Sequence, residues 1–357
     1  MIPMPGRDTP IWRDTERLQC VNVIPEAPDV KTFTFRPPSG SVFLFRAGQF
    51  MTFELPVPGG PVHRTYTISS SPISNAYVSI TVKAQPNSIG SRWMLEHLEP
   101  GMLLKAAGPA GVFTLPAQPD EKYLFISAGS GVTPMMSMVT TLFERGEEPD
   151  VAFIQVARRP IELIFRSRLE YMASRMDGLE LHFVVKSDDR YDAWTGYRGT
   201  FNQLMLGLMC PDYLERFVYC CGPEGFMGSV REILISLGFD MERYNQESFH
   251  ATVKKEDDAP DYDDTVPDEH AKAEVVFTES GVSAEGTETD TVLQLAKNKG
   301  IAIPSGCTFG ICGTCIVKKL SGDVHMVHNG GITEEDIEDG YILACCSNPI
   351  GRVEVEV

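Results

Sequence analysis

The chain has 357 residues, enough for two or three domains with their own cores, and its 43% apolar and 22% charged residues are ordinary for a globular protein. No apolar run approaches the roughly 18 residues needed to span a bilayer, and the start, MIPMPGRDTPIWRDTERLQC, lacks the basic-then-apolar order of a signal peptide, so a soluble, cytoplasmic protein without membrane contact is expected. The net charge of −18 argues against nucleic acid as a partner, because phosphate binding needs a basic face.

Residues 18–116 carry short alternating segments broken by Gly and Pro: KTFTFRP, GQFMTFEL, RTYTISSS, YVSITVKA and MLLKAAGPAG. That spacing predicts an antiparallel barrel, interrupted by one helix-like piece, SRWMLEHL. Within it, HRTYTISSSP sets Arg64, Tyr66 and Thr67 along one strand. Read as sharing a face, they would offer a cation to a diphosphate, a ring to a flavin and a hydroxyl to a ring nitrogen. Standing alone, an alternating polar strand is simply a solvated face. Three further segments strengthen the flavin reading: ITVKA (80–84), IGS (89–91) at a helix start, and GPAGVFTL (108–115). A helix N-terminus binds phosphate through its free amides and its dipole.

From Lys122 the pattern changes. YLFISAG is a buried-type strand, and GSGVTPMMSMVTTLFERG turns from it into a helix. DVAFIQVAR, LELHFVVKS and RFVYCCGP follow as apolar strands with helical stretches between, which predicts a parallel sheet with crossover helices. SAGSGVTPMMSM places glycines at a strand-to-helix turn, where the chain can pass close to a pyrophosphate. It is not a strict G-x-G-x-x-G, and a glycine-rich turn with no ligand is the competing reading. YCCGPEGFM closes a later strand with a second tight turn, leaving Cys221 either beside the reacting groups or merely buried. Met135, Met136 and Met138 lie at helical spacing and are expected in the core.

ATVKKEDDAPDYDDTVPDEHAKA has no apolar period and is rich in Asp and Pro, so it reads as a flexible linker. Residues 251–270 hold eight acidic against two basic residues and 271–357 hold 13 against 6, so the last third carries −13 of the −18. That is either a solvated surface or a docking face for a basic partner. After the linker, AEVVFTES and VSAEG read as a hairpin and TDTVLQLAKNKG as a short helix with a Thr/Asp start and a closing Gly.

Nine cysteines, an odd number unevenly placed, point to metal ligation rather than disulfides in a reducing compartment. The spacing Cys307-x4-Cys312-x2-Cys315-x29-Cys345 is the plant-type [2Fe–2S] pattern. Four thiolates are needed because each tetrahedral iron shares two bridging sulfides and takes two cysteines. Gly306, Gly310 and Gly313 suit a loop wrapped around a cluster. A structural zinc site would instead use paired C-x2–4-C knuckles, which this asymmetric loop lacks. Cys346 adjoins Cys345 and competes with it as fourth ligand; Cys345 follows the Leu-Ala pair of YILACCS, where this ligand usually falls.

These segments, in this order, resemble the ferredoxin–NADP reductase-like flavoprotein reductases with a C-terminal plant-type ferredoxin domain, across nearly the whole chain. Within that family MASRMDGLELH, AWTGYRG, RYNQESFHAT and LSGDVHMVHNGGITEEDIEDGYILACCS are most similar to reductase subunits serving Rieske-type oxygenases that demethylate quaternary amines such as glycine betaine. The resemblance implies a multidomain chain: an antiparallel β-barrel binding FAD (1–117), an α/β parallel-sheet domain binding NAD(P) (118–250), a flexible acidic linker (251–272) and an α+β ferredoxin-like (β-grasp) [2Fe–2S] domain (273–357).

By position, the likeness assigns Arg64, Tyr66 and Thr67 to the flavin strand. Thr81, Val82, Lys83, Gly90 and Ser91 would hold the ribityl and phosphate portions, with FAD favoured over FMN. Gly129, Gly131, Thr133, Cys221 and Gly222 would surround the nicotinamide and its pyrophosphate. Glu247 and Phe249 of QESF would form the segment that closes over the isoalloxazine. VARRPIELIFRSRLEYM offers Arg158, Arg159, Arg166 and Arg168 near a strand end where an arginine can accommodate a 2′-phosphate, yet this branch uses NADH, with an Arg at position 158 common in it. The implied route is hydride from NADH to the flavin, then single electrons to the cluster and an oxygenase. The alternative within the enzyme class is an NADH reductase of the hybrid-cluster protein or of another oxygenase. A passive carrier would need no dinucleotide site.

Overall fold

A computed structural model describes residues 10–13, 16–58, 60–84, 88–116, 122–146, 150–189, 194–247, 267–268, 271–305, 310, 313–328 and 331–357. Two units make up the chain: residues 1–62 with 66–250, and residues 251–357 with the short piece 63–65.

The first unit opens with β1 (Leu18–Ala27), β2 (Val30–Arg36), β3 (Phe50–Leu55), β4 (Val62–Thr67), β5 (Val78–Lys83), helix α1 (Ile89–His97) and β6 (Leu103–Ala110). The strand order is β4-β3-β6-β1-β2-β5, and an antiparallel bridge between Ile68 and Ile80 brings the two ends together as a barrel. Period-two alternation decides the register. Phe33 faces Ile80 and Phe35 faces Val78 across β2 and β5, and all four are fully buried.

The same unit continues through β7 (Tyr123–Ala128), α2 (Val132–Arg145), β8 (Val151–Ala157), α3 (Arg166–Ala173), β9 (Leu179–Val185), β10 (Tyr197–Arg198), α4 (Gln203–Met209), β11 (Phe217–Cys221), α5 (Glu224–Ser236) and β12 (Tyr244–Glu247). These strands form one parallel sheet in the order β10-β9-β8-β7-β11-β12. Every residue of β7 and β8 is buried, as expected of strands covered on both faces. Met135, Met136 and Met138 of α2 are fully buried core residues. Side chains tie barrel to sheet: Ser137 Oγ donates to Ser70 O at 2.6 Å, Tyr219 Oη to Thr114 O at 3.2 Å, and Arg168 pairs with Glu26 at 3.2 Å.

The second unit contains β13 (Lys272–Phe277), β14 (Val282–Thr287), α6 (Val292–Asn298), β15 (Ile316–Met326), α7 (Glu334–Glu338), β16 (Tyr341–Leu343) and β17 (Ser347–Glu356). Its sheet runs β14-β13-β17-β15-β16, with only the central β13–β17 pair parallel among the described pairings. The hairpin and the short helix read from the sequence are both present. Thr291 caps α6 reciprocally, its Oγ1 accepting from Gln294 N at 3.2 Å while Gln294 Oε1 accepts from Thr291 N at 3.0 Å. The linker reading falls almost wholly outside the described residues. No helix among the described residues is long and apolar enough to cross a membrane.

Candidate active site

From β7 the chain proceeds outward through β8, β9 and β10, then returns to place β11 and β12 on the other side of β7. In open α/β sheets ligands bind beyond the carboxyl ends of the strands where the order reverses, here between β7 and β11. Gly129 and Gly131 follow β7 at that point, Cys221 and Gly222 end β11, and Glu247 ends β12 in register with Cys221. A Cβ on Gly131 would stand 2.2 Å from Cys221 O, so only glycine lets these two turns touch. Thr133, in the first turn of α2, is buried and donates from Oγ1 to Ser130 O at 3.0 Å. The start of α2 turns the positive end of its dipole to this point, although Val132 N is taken by Gly129 O and Pro134 carries no N–H. Cys221 is fully buried, and burial, with the Glu247 charge adding, pushes its thiol well above the usual range. Burial thus favours its neutral form.

The barrel contributes the facing wall. Arg64, Tyr66 and Thr67 do not share a face: period two puts Arg64 and Tyr66 on one side of β4 and Thr67 on the other. Arg64 is exposed and Tyr66 packs half-buried toward Phe53, whereas Thr67 is buried and its Oγ1 lies 3.5 Å from Glu247 Oε2. Glu247 is half-buried by surface area, yet its carboxyl is enclosed closely enough that burial raises its pKa to about 8, against the opposing Thr67 hydrogen bond.

Thr81 and Val82, neighbours on β5, are both buried but on opposite faces of the strand. Val82 belongs to the barrel core, and the Thr81 hydroxyl sits in a chain with Ser69 Oγ (2.9 Å) and Thr32 Oγ1 (2.8 Å) that continues to Glu26 at 2.7 Å. Lys83, half-buried, reaches toward the nucleotide turn, its Nζ 3.8 Å from where a Gly129 Cβ would stand. Gly90 and Ser91 are buried in the first turn of α1, where Ser88 Oγ accepts from Ser91 N at 3.3 Å. Phe249 lies outside the described residues.

Arg158 stands just past β8 and is largely exposed, with its Nε donating to Glu162 Oε2 at 2.9 Å. Arg159 donates likewise to Glu162 Oε1 at 2.9 Å, Arg166 to Glu170 Oε1 at 2.9 Å, and Arg168 pairs with Glu26. Each arginine of that stretch therefore has a carboxylate partner. Sequence reading singled out the arginines and missed Glu162, although an acid three and four residues on was the available signal.

In the second unit, Cys315 and Cys345 are both buried in one core cluster. The pairing of Ile316 with Leu343, and the bond from Ala344 N to Cys315 O at 3.0 Å, bring these distant cysteines to one place. Gly310 and Gly313 have φ of +73° and +69°. A Cβ would meet Cys346 Sγ at 2.8 Å in the first case and Gly331 O at 2.8 Å in the second. Two buried cysteines brought together, with close approaches that require glycine at 310 and 313, fit a [2Fe–2S] cluster. Cys307 and Cys312 lie outside the described residues, as does Gly306.

Three family models match consecutive parts of the chain: an oxidoreductase FAD-binding domain over 18–115, an oxidoreductase NAD-binding domain over 125–232, and a 2Fe-2S iron-sulfur cluster binding domain over 276–349. Among curated proteins, a stachydrine N-demethylase reductase subunit of Rhizobium meliloti is 59% identical, covering 97% of each chain. The glycine betaine monooxygenase reductase subunit of Chromohalobacter salexigens is 44% identical, covering 98% of this chain and 97% of that one. Phthalate dioxygenase reductase, a solved structure described as modular for electron transfer from pyridine nucleotides to [2Fe-2S], shares the fold with a TM-score of 0.61 at 22% identity, over 97% of this chain and all of that one. An intact type IV self-sufficient cytochrome P450 monooxygenase matches with a TM-score of 0.70 at 23% identity, and the chain spans 43% of that longer protein.

Proposed function

The chain belongs to the oxidoreductases that join FAD-binding, NAD-binding and [2Fe–2S] domains as reductase subunits of multicomponent oxygenases, and we propose that it passes electrons from NADH to a Rieske-type oxygenase that demethylates a quaternary amine. The observation that carries this reading is the 59% identity, over 97% of both chains, with a stachydrine N-demethylase reductase subunit. Identity to the glycine betaine relatives is 42–44%, so stachydrine is the favoured amine and glycine betaine the second. The oxygenase, not this chain, reads that substrate.

The bound groups would supply the conversion of a two-electron donor into single electrons. The chain's own residues do the positioning. Gly131 lets the β7 turn close onto the Cys221 carbonyl, which sets the start of α2 where a pyrophosphate would lie, and Thr133 and Gly222 would line the nicotinamide. Arg64, Tyr66, the β5 residues Thr81 to Lys83, and Gly90 with Ser91 hold the FAD. Since the Val82 side chain is buried in the barrel core and the Thr81 hydroxyl is taken by Ser69 and Thr32, their part falls to the backbone. Glu247, whose burial favours the protonated form, would present its carboxyl beside Thr67 Oγ1 toward a bound flavin, and Phe249 would help cover it. Cys307, Cys312, Cys315 and Cys345 ligate the cluster.

We assign residues 1–117 to the flavin domain, 118–250 to the nucleotide domain, 251–272 to the linker and 273–357 to the cluster domain. Cysteines grouped for metal ligation rather than disulfides favour a reducing cytoplasm.

The test is anaerobic. Holoprotein mixed with NADH should lose its flavin absorbance first and its cluster absorbance next, and oxidised oxygenase added afterwards should restore the cluster bands. Bands that stay reduced in the presence of the oxygenase would move the partner elsewhere.

A further inference from the structure

Two adjacent arginines just past β8 look like a site for the 2′-phosphate of NADPH, because in dinucleotide folds an arginine there takes that phosphate while an acid takes a free 2′-hydroxyl. Their surroundings say otherwise. Glu162 closes a 3₁₀ turn, Pro160–Glu162, that folds its carboxylate back between them. Oε2 accepts from Arg158 Nε and Oε1 from Arg159 Nε, each at 2.9 Å, so both oxygens and both Nε–H groups are committed. Asp189 completes the arrangement. Its Oδ2 accepts the Ile161 amide at 2.9 Å, fixing the turn, and its Oδ1 lies 3.7 Å from Arg159 Nη1.

The carboxylate lies inside and the cations outside: the Glu162 side chain is 9% exposed, those of Arg158 and Arg159 73% and 48%. Burial opposes the Glu162 charge, but the hydrogen bonds from Arg159 and Arg158, with Lys83 nearby, outweigh it and keep the carboxyl below its usual range. The two arginines are offset by Glu162 and Asp189, with Lys83 a further cation acting on Glu162.

We propose that Glu162 is the residue that sets coenzyme choice, occupying Arg158 and Arg159 so that the 2′-phosphate of NADPH meets a fixed negative charge behind cations already taken, while the neutral 2′-hydroxyl of NADH meets no such penalty. The inference rests on the nicotinamide reading above and deepens it. It concerns two surface arginines, so the expected effect is moderate, on the order of tenfold.

The experiment compares wild-type holoprotein with Glu162→Gln, reading the NADPH-to-NADH ratio of flavin-reduction efficiency by stopped flow and 2′,5′-ADP affinity by calorimetry. The ratio cancels any general loss of activity. Glu162→Gln is expected to raise the ratio by about tenfold and tighten 2′,5′-ADP to match, and adding Arg158→Ala should remove most of that gain. An unchanged ratio would overturn the proposal. So would a falling one, which would mean that Glu162 organises the arginines for the phosphate. Wild-type protein that prefers NADPH would overturn the NADH reading itself, and this is seen before any variant is made.

Discussion

A methyl group on Gly131 would collide with the Cys221 carbonyl at 2.2 Å, and neither atom can swing away as a flexible side chain would. Gly131→Ala should therefore part the β7 turn from β11, destabilise the fold by about 1–3 kcal/mol and slow flavin reduction by NADH. Thermal melting and stopped-flow absorbance would check it, and wild-type values in both would refute the close approach. Glu247 gives a pH signature. Its folded pKa of about 8 lies above the ordinary carboxylate value, so its contribution to stability is complete below roughly pH 4 and is lost as pH rises through 8. Melting temperature should fall across that window, and Glu247→Gln should flatten the decline. At Gly310 a side chain would face Cys346 Sγ at 2.8 Å and a positive φ costing roughly 1–2 kcal/mol. Gly310→Ala should lower iron and sulfide content while leaving flavin content intact; full cluster loading would contradict the account of that loop.

At the scale of elements, the parallel sheet is pinned at the end opposite the site. Arg216, 7% exposed, reaches both Asp212 oxygens (2.7 and 3.0 Å), Tyr123 O (3.1 Å) and Asp150 Oδ1 (2.7 Å), joining the starts of β7, β8 and β11. Burial disfavours the Asp212 charge, but Arg216 and Lys122 outweigh it and hold its carboxyl far below the usual range. That stabilisation is present above the ordinary carboxylate pKa and is lost as pH falls below it. Arg216→Ala should cost about 2–4 kcal/mol near neutral pH, less in acid, because the partners are part-exposed. Urea melts at both pH values would show it.

The elements carried by strong periodicity were legible in the sequence: β2 and β5 by alternation, β7 and β8 by continuous apolar runs, α6 by its cap. Others depend on geometry that no local pattern records. α3 begins after Phe165, a buried residue at φ +62°, and β15 mixes polar residues with apolar ones over eleven positions. The nucleotide turns were legible because glycine spacing carries them. Thr67 was placed on the wrong face, since neighbours on a strand oppose one another, and Glu162, three and four residues past the arginines, went unread because a turn rather than a helix folds it back onto them.

Over the whole molecule, the last third holds −13 of the −18 charge. If that face docks on a basic partner, transfer to the oxygenase should slow as salt rises, while flavin reduction by NADH changes less. Equal sensitivity of both steps would make the charge a solvated surface only. The central claim is that electrons from NADH leave this chain for an amine-demethylating oxygenase. The most direct measurement is aerobic: the holoprotein, its oxygenase and NADH with stachydrine or glycine betaine, scoring formaldehyde against NADH consumed. The account predicts formaldehyde formed in step with NADH oxidation and dependent on both proteins, with stachydrine the better substrate. NADH oxidation without formaldehyde from either amine would contradict it.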